Sequence, residues 1–303
     1  MDLQTAPIPC RQLDRNQIEA RLNDCPRLPS LSSINNALRE LLNADQRYTS
    51  QISEVIRRDP SLTSRLLRLV NSVYYGITTP INSIEEAVFY LGVRQIRQLA
   101  MVTPIIEDFQ KLTGHTSFRW REFWQHCIAT AILTREVVNS VMLPADEADY
   151  VAGLVHDVGK IIMAATFPEH FGEVHRQMRQ GERDLLQVEL EVLGIDHTEL
   201  GSLYLQNHHL PAIMVETARF HHHPEQAKEY AQIVAAVQIA NLLVHYAKIG
   251  NSGNYAPVTD ADWLNASGWS ILFPDRADEE KAIAHAGLRR SLERLPTILD
   301  GLV

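Results

Sequence analysis

From Leu31 onward, apolar residues recur at three- and four-residue intervals, the period of a helix buried along one face. Leu31, Ile34, Leu38, Leu41 and Leu42 form the first such stripe, and Ser50 to Arg58 predicts a second helix with Ile52, Val55 and Ile56 inward. Asp59-Pro60 reads as an N-cap followed by proline at the first helical position. Its helix carries Leu62, Leu66, Leu69, Val70 and Val73 until Gly76 and Pro80 stop it. Ser83-Ile84-Glu85-Glu86 fits a capping box, and its helix buries Ala87, Val88 and Leu91 before Gly92 allows a tight exit. A further helix runs from Val93 toward Pro104. Ahead of all these, residues 1–27 form a polar leader with one short amphipathic stretch, Leu13 to Leu22.

The segment Lys111 to Thr116 is the best boundary between two halves. Beyond it the same period predicts helices over Trp120–Met142, Glu147–His156, a short apolar one opening at Lys160, Pro168–Gln180 and Asp184–Leu193. Asp196-His197-Thr198-Glu199 resembles a capping box starting a helix toward Asn207, and Pro211 begins one that finishes at His221-His222-His223-Pro224. Tyr230–Lys248 reads as a buried core helix, Asn251–Pro257 as a polar loop, and the tail returns to helix around Glu279–Leu292. No period-2 run bounded by turn residues occurs, so no sheet is assigned. The expectation is an all-α fold of two packed helical subdomains, residues 28–113 and 114–250, with a loop and helical tail over 251–303.

Composition narrows the functional classes. The chain has 303 residues with 45% hydrophobic and 21% charged, ordinary for a folded protein with a sizeable core. Its net charge of -9 is uneven: residues 1–113 carry +1 and residues 114–303 carry -10. An acidic second half makes nucleic acid an unfavourable partner, because phosphate must be neutralised by cations. Arg57, Arg58, Arg65 and Arg68 read as a solvated helix face. Cys10, Cys25 and Cys127 show neither metal nor disulfide spacing, and their odd number fits reduced thiols. No basic and apolar leader and no run near the roughly 18 apolar residues of a membrane span is present. The expectation is a cytoplasmic protein without a membrane partner.

The chemistry concentrates in the histidines. Eleven of the thirteen lie between residues 115 and 223. Within Leu154-Val155-His156-Asp157-Val158-Gly159-Lys160, the adjacent imidazole and carboxylate suit a divalent Zn, Fe or Mn. His126 lies upstream, and His197, His221 and His222 lie downstream. The competing reading of this set is a polar core network without metal. His115, His170, His175, His208, His209, His245 and His285 read as surface or helix-face residues, and His223 as a turn residue before Pro224. Trp120, Phe123 and Trp124 read as core aromatics.

Several strings carry a family resemblance. They are Arg58-Asp59-Pro60-Ser61-Leu62, Leu66-Leu67-Arg68-Leu69-Val70-Asn71-Ser72, Tyr75-Gly76, Pro80-Ile81-Asn82-Ser83-Ile84 and Ala87-Val88-Phe89-Tyr90-Leu91-Gly92-Val93-Arg94. With these the chain resembles the HDOD domain family, helical relatives of the HD phosphohydrolases found in bacterial signalling proteins, over nearly all of residues 28–245. The resemblance implies metal ligands at His126, His156, Asp157, His197, His221 and His222, with Asp157 where the family bridges two metals. It implies a substrate-phosphate contact at Lys160, against the alternative of a solvated lysine at a helix start, and makes Asp157 and Lys160 the catalytic residues of any active form. The cofactor so implied is Fe, Mn or Zn, binuclear when present.

Two departures weigh against catalysis. The position matching the last family ligand, an Asp, holds Asn241, which lacks the charge a carboxylate offers a cation. After His222 the chain continues His223-Pro224-Glu225-Gln226, with no Gly-Tyr-Pro loop, which argues against a cyclic di-GMP phosphodiesterase. The resemblance therefore implies first a signalling module that binds a partner protein or nucleotide without turnover. The alternative is a metal-dependent phosphohydrolase.

Overall fold

A computed structural model describes residues 11–25, 56–57, 63, 67, 71, 80–91, 118–143, 147–181, 183–274 and 278–299. Of the helix expected over Ser50–Arg58 only Ile56 and Arg57 are described, both helical and with Ile56 buried as expected; the helices expected over 31–42 and 93–104, most of the Asp59–Val73 helix and the boundary at 111–116 lie outside those residues. Every described element is helical, with no strand among the described residues, so the chain is all-α.

The described helices are α1 (Arg15–Asn23), α2 (Ile84–Leu91), α3 (Trp120–Ser140), α4 (Glu147–Val155), α5 (Val158–Thr166), α6 (Pro168–Met178) and α7 (Leu185–Val192). After these come α8 (His197–Asn207), α9 (Ala212–Phe220), a 3-10 turn at Pro224–Gln226, α10 (Ala231–Tyr246), α11 (Asp260–Leu264), α12 (Gly268–Leu272) and α13 (Asp278–Leu299). The apolar periods predicted most of these within a few residues. The short α11 and α12 carry too few residues to show a period, and the structure adds them to the expected tail. No single helix among the described residues is long and apolar enough to cross a membrane.

Caps behave as the residue types dictate. Asp14, Asp184 and Asp196 each accept a hydrogen bond from the backbone N–H three residues on. Ser83 does the same for Glu86 N. At α8 the reciprocal half of the expected capping box is missing, because the Glu199 carboxylate faces Arg15 and Arg219 instead.

Helix α3 is the central strut. Phe123, Trp124, Cys127, Ile132, Leu133, Val137 and Val138 are buried along it, and it packs against α4, α10 and α13. Each large apolar side chain so buried contributes about 1.5–3 kcal/mol. Helix α8 packs against both α5 and α9. These packings gather four chain segments around one point, the break between α4 and α5.

The leader stretch also joins this body. Helix α1 buries Ile18 and Leu22, Leu13 N donates to Leu193 O, and His170 Nε2 pairs with Arg11 O. Gly194, at φ +100°, turns the chain where a Cβ would lie 2.5 Å from Leu13 O.

Candidate metal centre

His156 and Asp157 occupy the two-residue break between α4 and α5. Asp157 stands at the N-cap of α5, yet its carboxylate makes no capping hydrogen bond. An Asp there normally caps the helix; this one is turned into the protein, fully buried, with the helix N-terminus favouring its negative charge.

Five imidazoles converge on that carboxylate or on its neighbours. His156 Nε2 and His126 Nε2 lie 3.4 and 3.8 Å from Oδ2. His197 Nε2 and His221 Nε2 lie 3.3 and 3.5 Å from Oδ1. His222 stacks at a tilt on His221, with ring centroids 4.2 Å apart. The donor atoms fall into two sets, His126–His156–Asp157 and His197–His221–His222, each within 4.8 Å of one another. His126 comes from mid-α3, His197 from the first turn of α8, and His221 and His222 from the end of α9.

The far ring nitrogens hold the rings in place. His156 Nδ1 pairs with Gly153 O at 2.7 Å, and His221 Nδ1 pairs with Ala218 O at 3.1 Å. His197 Nδ1 pairs with Glu189 Oε2 at 2.7 Å, and that oxygen also accepts the His197 backbone N–H at 2.8 Å. This is the carboxylate–histidine support that aims a ligand nitrogen and raises its basicity.

A metal fits this donor set. The Nε2 atoms of His126, His156, His197, His221 and His222 and Asp157 Oδ1 are buried without hydrogen-bond partners. Buried polar atoms are ordinarily paired, and orphans are costly. Six orphans facing one region have the donor types that satisfy a borderline divalent cation.

Electrostatics separates the groups. Burial pushes the Asp157 carboxyl up, but the Lys160 ammonium and His156 more than offset this and hold it well below the usual carboxylate range. Burial and neighbouring histidines push His126 and His222 well down and His221 down to about 4. For His197, burial lowers the value, but Glu189 and Asp157 overcome it and raise it to about 9.

Lys160, in the first turn of α5, is buried and donates to Asp157 Oδ2 at 2.7 Å. Asn241 is buried on α10, which packs against α3 and α4, and its Oδ1 has no partner. Thus His126, His156, Asp157, His197, His221, His222 and Lys160 come together, with Asn241 on a helix of the same packing.

Other residues were not singled out by sequence. Glu189 shows itself only as an acidic side chain on the buried face of α7, beside Leu185, Val188 and Val192. His245, expected on a helix face, has its ring centroid 4.8 Å from that of His126 and its Nε2 paired with the buried Ser252 hydroxyl at 2.9 Å. His170 and His175 are not surface residues but core ones, only 5% and 6% exposed.

Comparison with known proteins agrees with this architecture. Residues 28–224 match the HDOD domain family model. An uncharacterized protein of Treponema pallidum (strain Nichols) is 29% identical over 236 residues, covering 76% of this chain; the chain spans 44% of that relative's length. The solved structure of an HDOD domain protein of unknown function from Geobacter sulfurreducens superposes with a TM-score of 0.80 at 24% identity, covering 95% of this chain and 97% of its own. A candidate phosphohydrolase from Shewanella amazonensis SB2B gives 0.68 at 20% identity, covering 94% and 98%. A candidate signal transduction protein from Marinobacter aquaeolei VT8 gives 0.65 at 21% identity, covering 96% and 61%. At these identities the structural likeness concerns the fold.

Proposed function

The chain belongs to the HDOD domain family, and from that premise we propose that it is a signalling module that binds a divalent metal at Asp157 and engages a partner protein or nucleotide without turning it over. The observation that carries this reading is the buried Lys160 ammonium, which donates to Asp157 Oδ2 at 2.7 Å. Asn241 adds to it, since a neutral amide stands where the family resemblance expects a carboxylate. In this reading Fe, Mn or Zn serves to rigidify the junction of α3, α4, α5, α8 and α9, and the N-terminal half presents the partner surface.

The test is hydrolysis of nucleotides, cyclic dinucleotides and generic phosphoesters by Mn- or Fe-loaded full-length protein. The expected result is no turnover above that of Asp157→Ala. Robust turnover abolished by that substitution overturns the proposal.

That outcome would favour the second reading, a metal-dependent phosphohydrolase, which the converging orphan nitrogens support. A bound divalent ion supplies a Lewis acid and a water of lowered pKa. Asp157 would orient it, and Lys160 would have to leave Oδ2 to meet developing phosphoryl charge.

A further inference from the structure

Residues 11–25 are held in the manner of a bound ligand, and we propose that they are a reversible clamp on the α7–α8 turn, seated on a surface that takes an amphipathic helix with cationic flanks. The clamp gives the signalling module an input at its own leader, and it does not depend on a bound metal.

The leader is seated through a helix-in-groove pattern. Ile18, Leu22 and Cys25, the last just past the helix, stand at i, i+4 and i+7; they are buried, while every other residue from Asp14 to Asp24 is exposed. Two cations flank this stripe. Arg15 pairs with Glu199 on α8, and the Arg21 guanidinium lies 5.9 Å from the centroid of the buried Phe167 ring. At nine residues α1 is shorter than the roughly 12–15 that an isolated helix needs in water, so it is helical because it is seated. Exposed ion pairs add little, and the three apolar anchors hold the rest. Such a unit opens at a lower free energy than the core built on α3 and α10.

The residues just ahead of α1 grip both sides of the α7–α8 turn. Gln12 Nε2 donates to Leu190 O at 2.8 Å, and Leu13 N donates to Leu193 O, the C-cap of α7, at 3.1 Å. Leu13 O in turn lies against Gly194, where the backbone approach leaves no room for a Cβ. On the far side of the turn, Arg15 holds Glu199 in the first turn of α8. The same stretch carries Glu189 and His197, joined by the backbone N–H of His197 donating to Glu189 Oε2 at 2.8 Å. Release of the leader therefore loosens the backbone that sets His197, whereas α3 and α10 stay packed on one another.

Amide hydrogen exchange of the full-length protein, read by mass spectrometry, tests this. In the wild type, residues 15–23 should exchange at least about 10-fold faster than α3 and α10, as a locally opening unit does. Arg15→Glu sets a like charge against Glu199. It should speed exchange over residues 190–201 by about 2–5-fold, the range an exposed ion pair spans, and leave α10 unchanged. Ile18→Asp combined with Leu22→Asp should empty the seat and speed exchange over that turn further. A fluorescent peptide of residues 11–25 should then bind in trans and restore protection. The same peptide should bind the wild type at least about 10-fold more weakly, because the tethered leader competes at high effective concentration. A leader as protected as α10, a turn unmoved by Arg15→Glu, or a folded double variant that does not take the peptide overturns the inference. So does a concentration-dependent dimer that dissociates as the leader is released, which would assign the seat to a second copy. Thermal melts identify a double variant that fails to fold, and the wild-type pattern and Arg15→Glu then decide.

Discussion

Glu189 and His197 form the pair through which a single substitution reaches the centre with the least damage elsewhere. Glu189→Gln keeps an oxygen for His197 Nδ1 and for the His197 backbone N–H but removes the charge. Zinc affinity should fall by about 10–100-fold with the melting temperature little changed, as read by competition with a chromophoric chelator. Glu189→Ala should also destabilise, by about 1–3 kcal/mol, because it leaves two buried donors unpaired. His175 makes a separate, pH-dependent prediction. Burial, with help from Lys160 and Arg179, lowers its pKa from 6.5 to about 3. The unfolded chain then takes up a proton near pH 6.5 that the folded chain refuses, so stability falls as pH drops from about 6.5 to about 3, by up to about 1.4 kcal/mol per unit. His175→Leu should shrink the difference between denaturation midpoints at pH 7 and pH 4.5; an unchanged difference would refute the assignment. The histidine cluster was legible because His is scarce and its spacing was suggestive. Glu189 was not, since one acid on a short helix looks like any solvated residue until the fold buries it.

Helices α5 and α8 meet so closely that the glycine in His156-Asp157-Val158-Gly159-Lys160 acquires a physical reason. A Cβ on Gly159 would lie 1.8 Å from His197 O and 2.8 Å from Gly201 N, so two glycines let the helices touch through backbone. Gly159→Ala should push α8, and His197 with it, away from Asp157. The expected cost is about 1–3 kcal/mol of stability together with loss of tight zinc. A variant that melts like the wild type and binds zinc equally well would contradict this contact. The helices themselves were readable from their periods. The start of α5 was not read correctly: the chain re-enters helix at Val158, two residues before the expected Lys160. That shift makes Asp157 the N-cap and carries helical backbone through to Lys160, whose stem reaches back to the carboxylate three residues before it.

Considered as a whole, the molecule ties its beginning to its second half. Arg15 pairs with Glu199 on α8, Gln12 Nε2 donates to Leu190 O, and the Arg21 guanidinium lies 5.9 Å from the centroid of the Phe167 ring. Removing residues 1–25 uncovers the faces that Ile18, Leu22 and Cys25 fill, and it frees α8 at the end that carries His197. The truncated chain should melt several degrees lower, as about 1 kcal/mol shifts a chain of this class by about 2–4 °C. An unchanged melting temperature would show that the leader contacts add nothing to stability.

Residue order by itself determined the helical class, most helix boundaries within a few residues, the family resemblance and the list of candidate ligands, because helix periods, caps and short motifs are local properties. The family resemblance also set Asn241 at a position where it implies a carboxylate. Tertiary structure decided which oxygen of Asp157 each histidine meets, that Lys160 pairs with one of those oxygens, and that Glu189 and His245 pack beside the histidines. Those relations join residues as far apart as His126 and His245 through the packing of α3 on α10. Burial and contact across such separations arise only when helices dock, and no local pattern of residues encodes them.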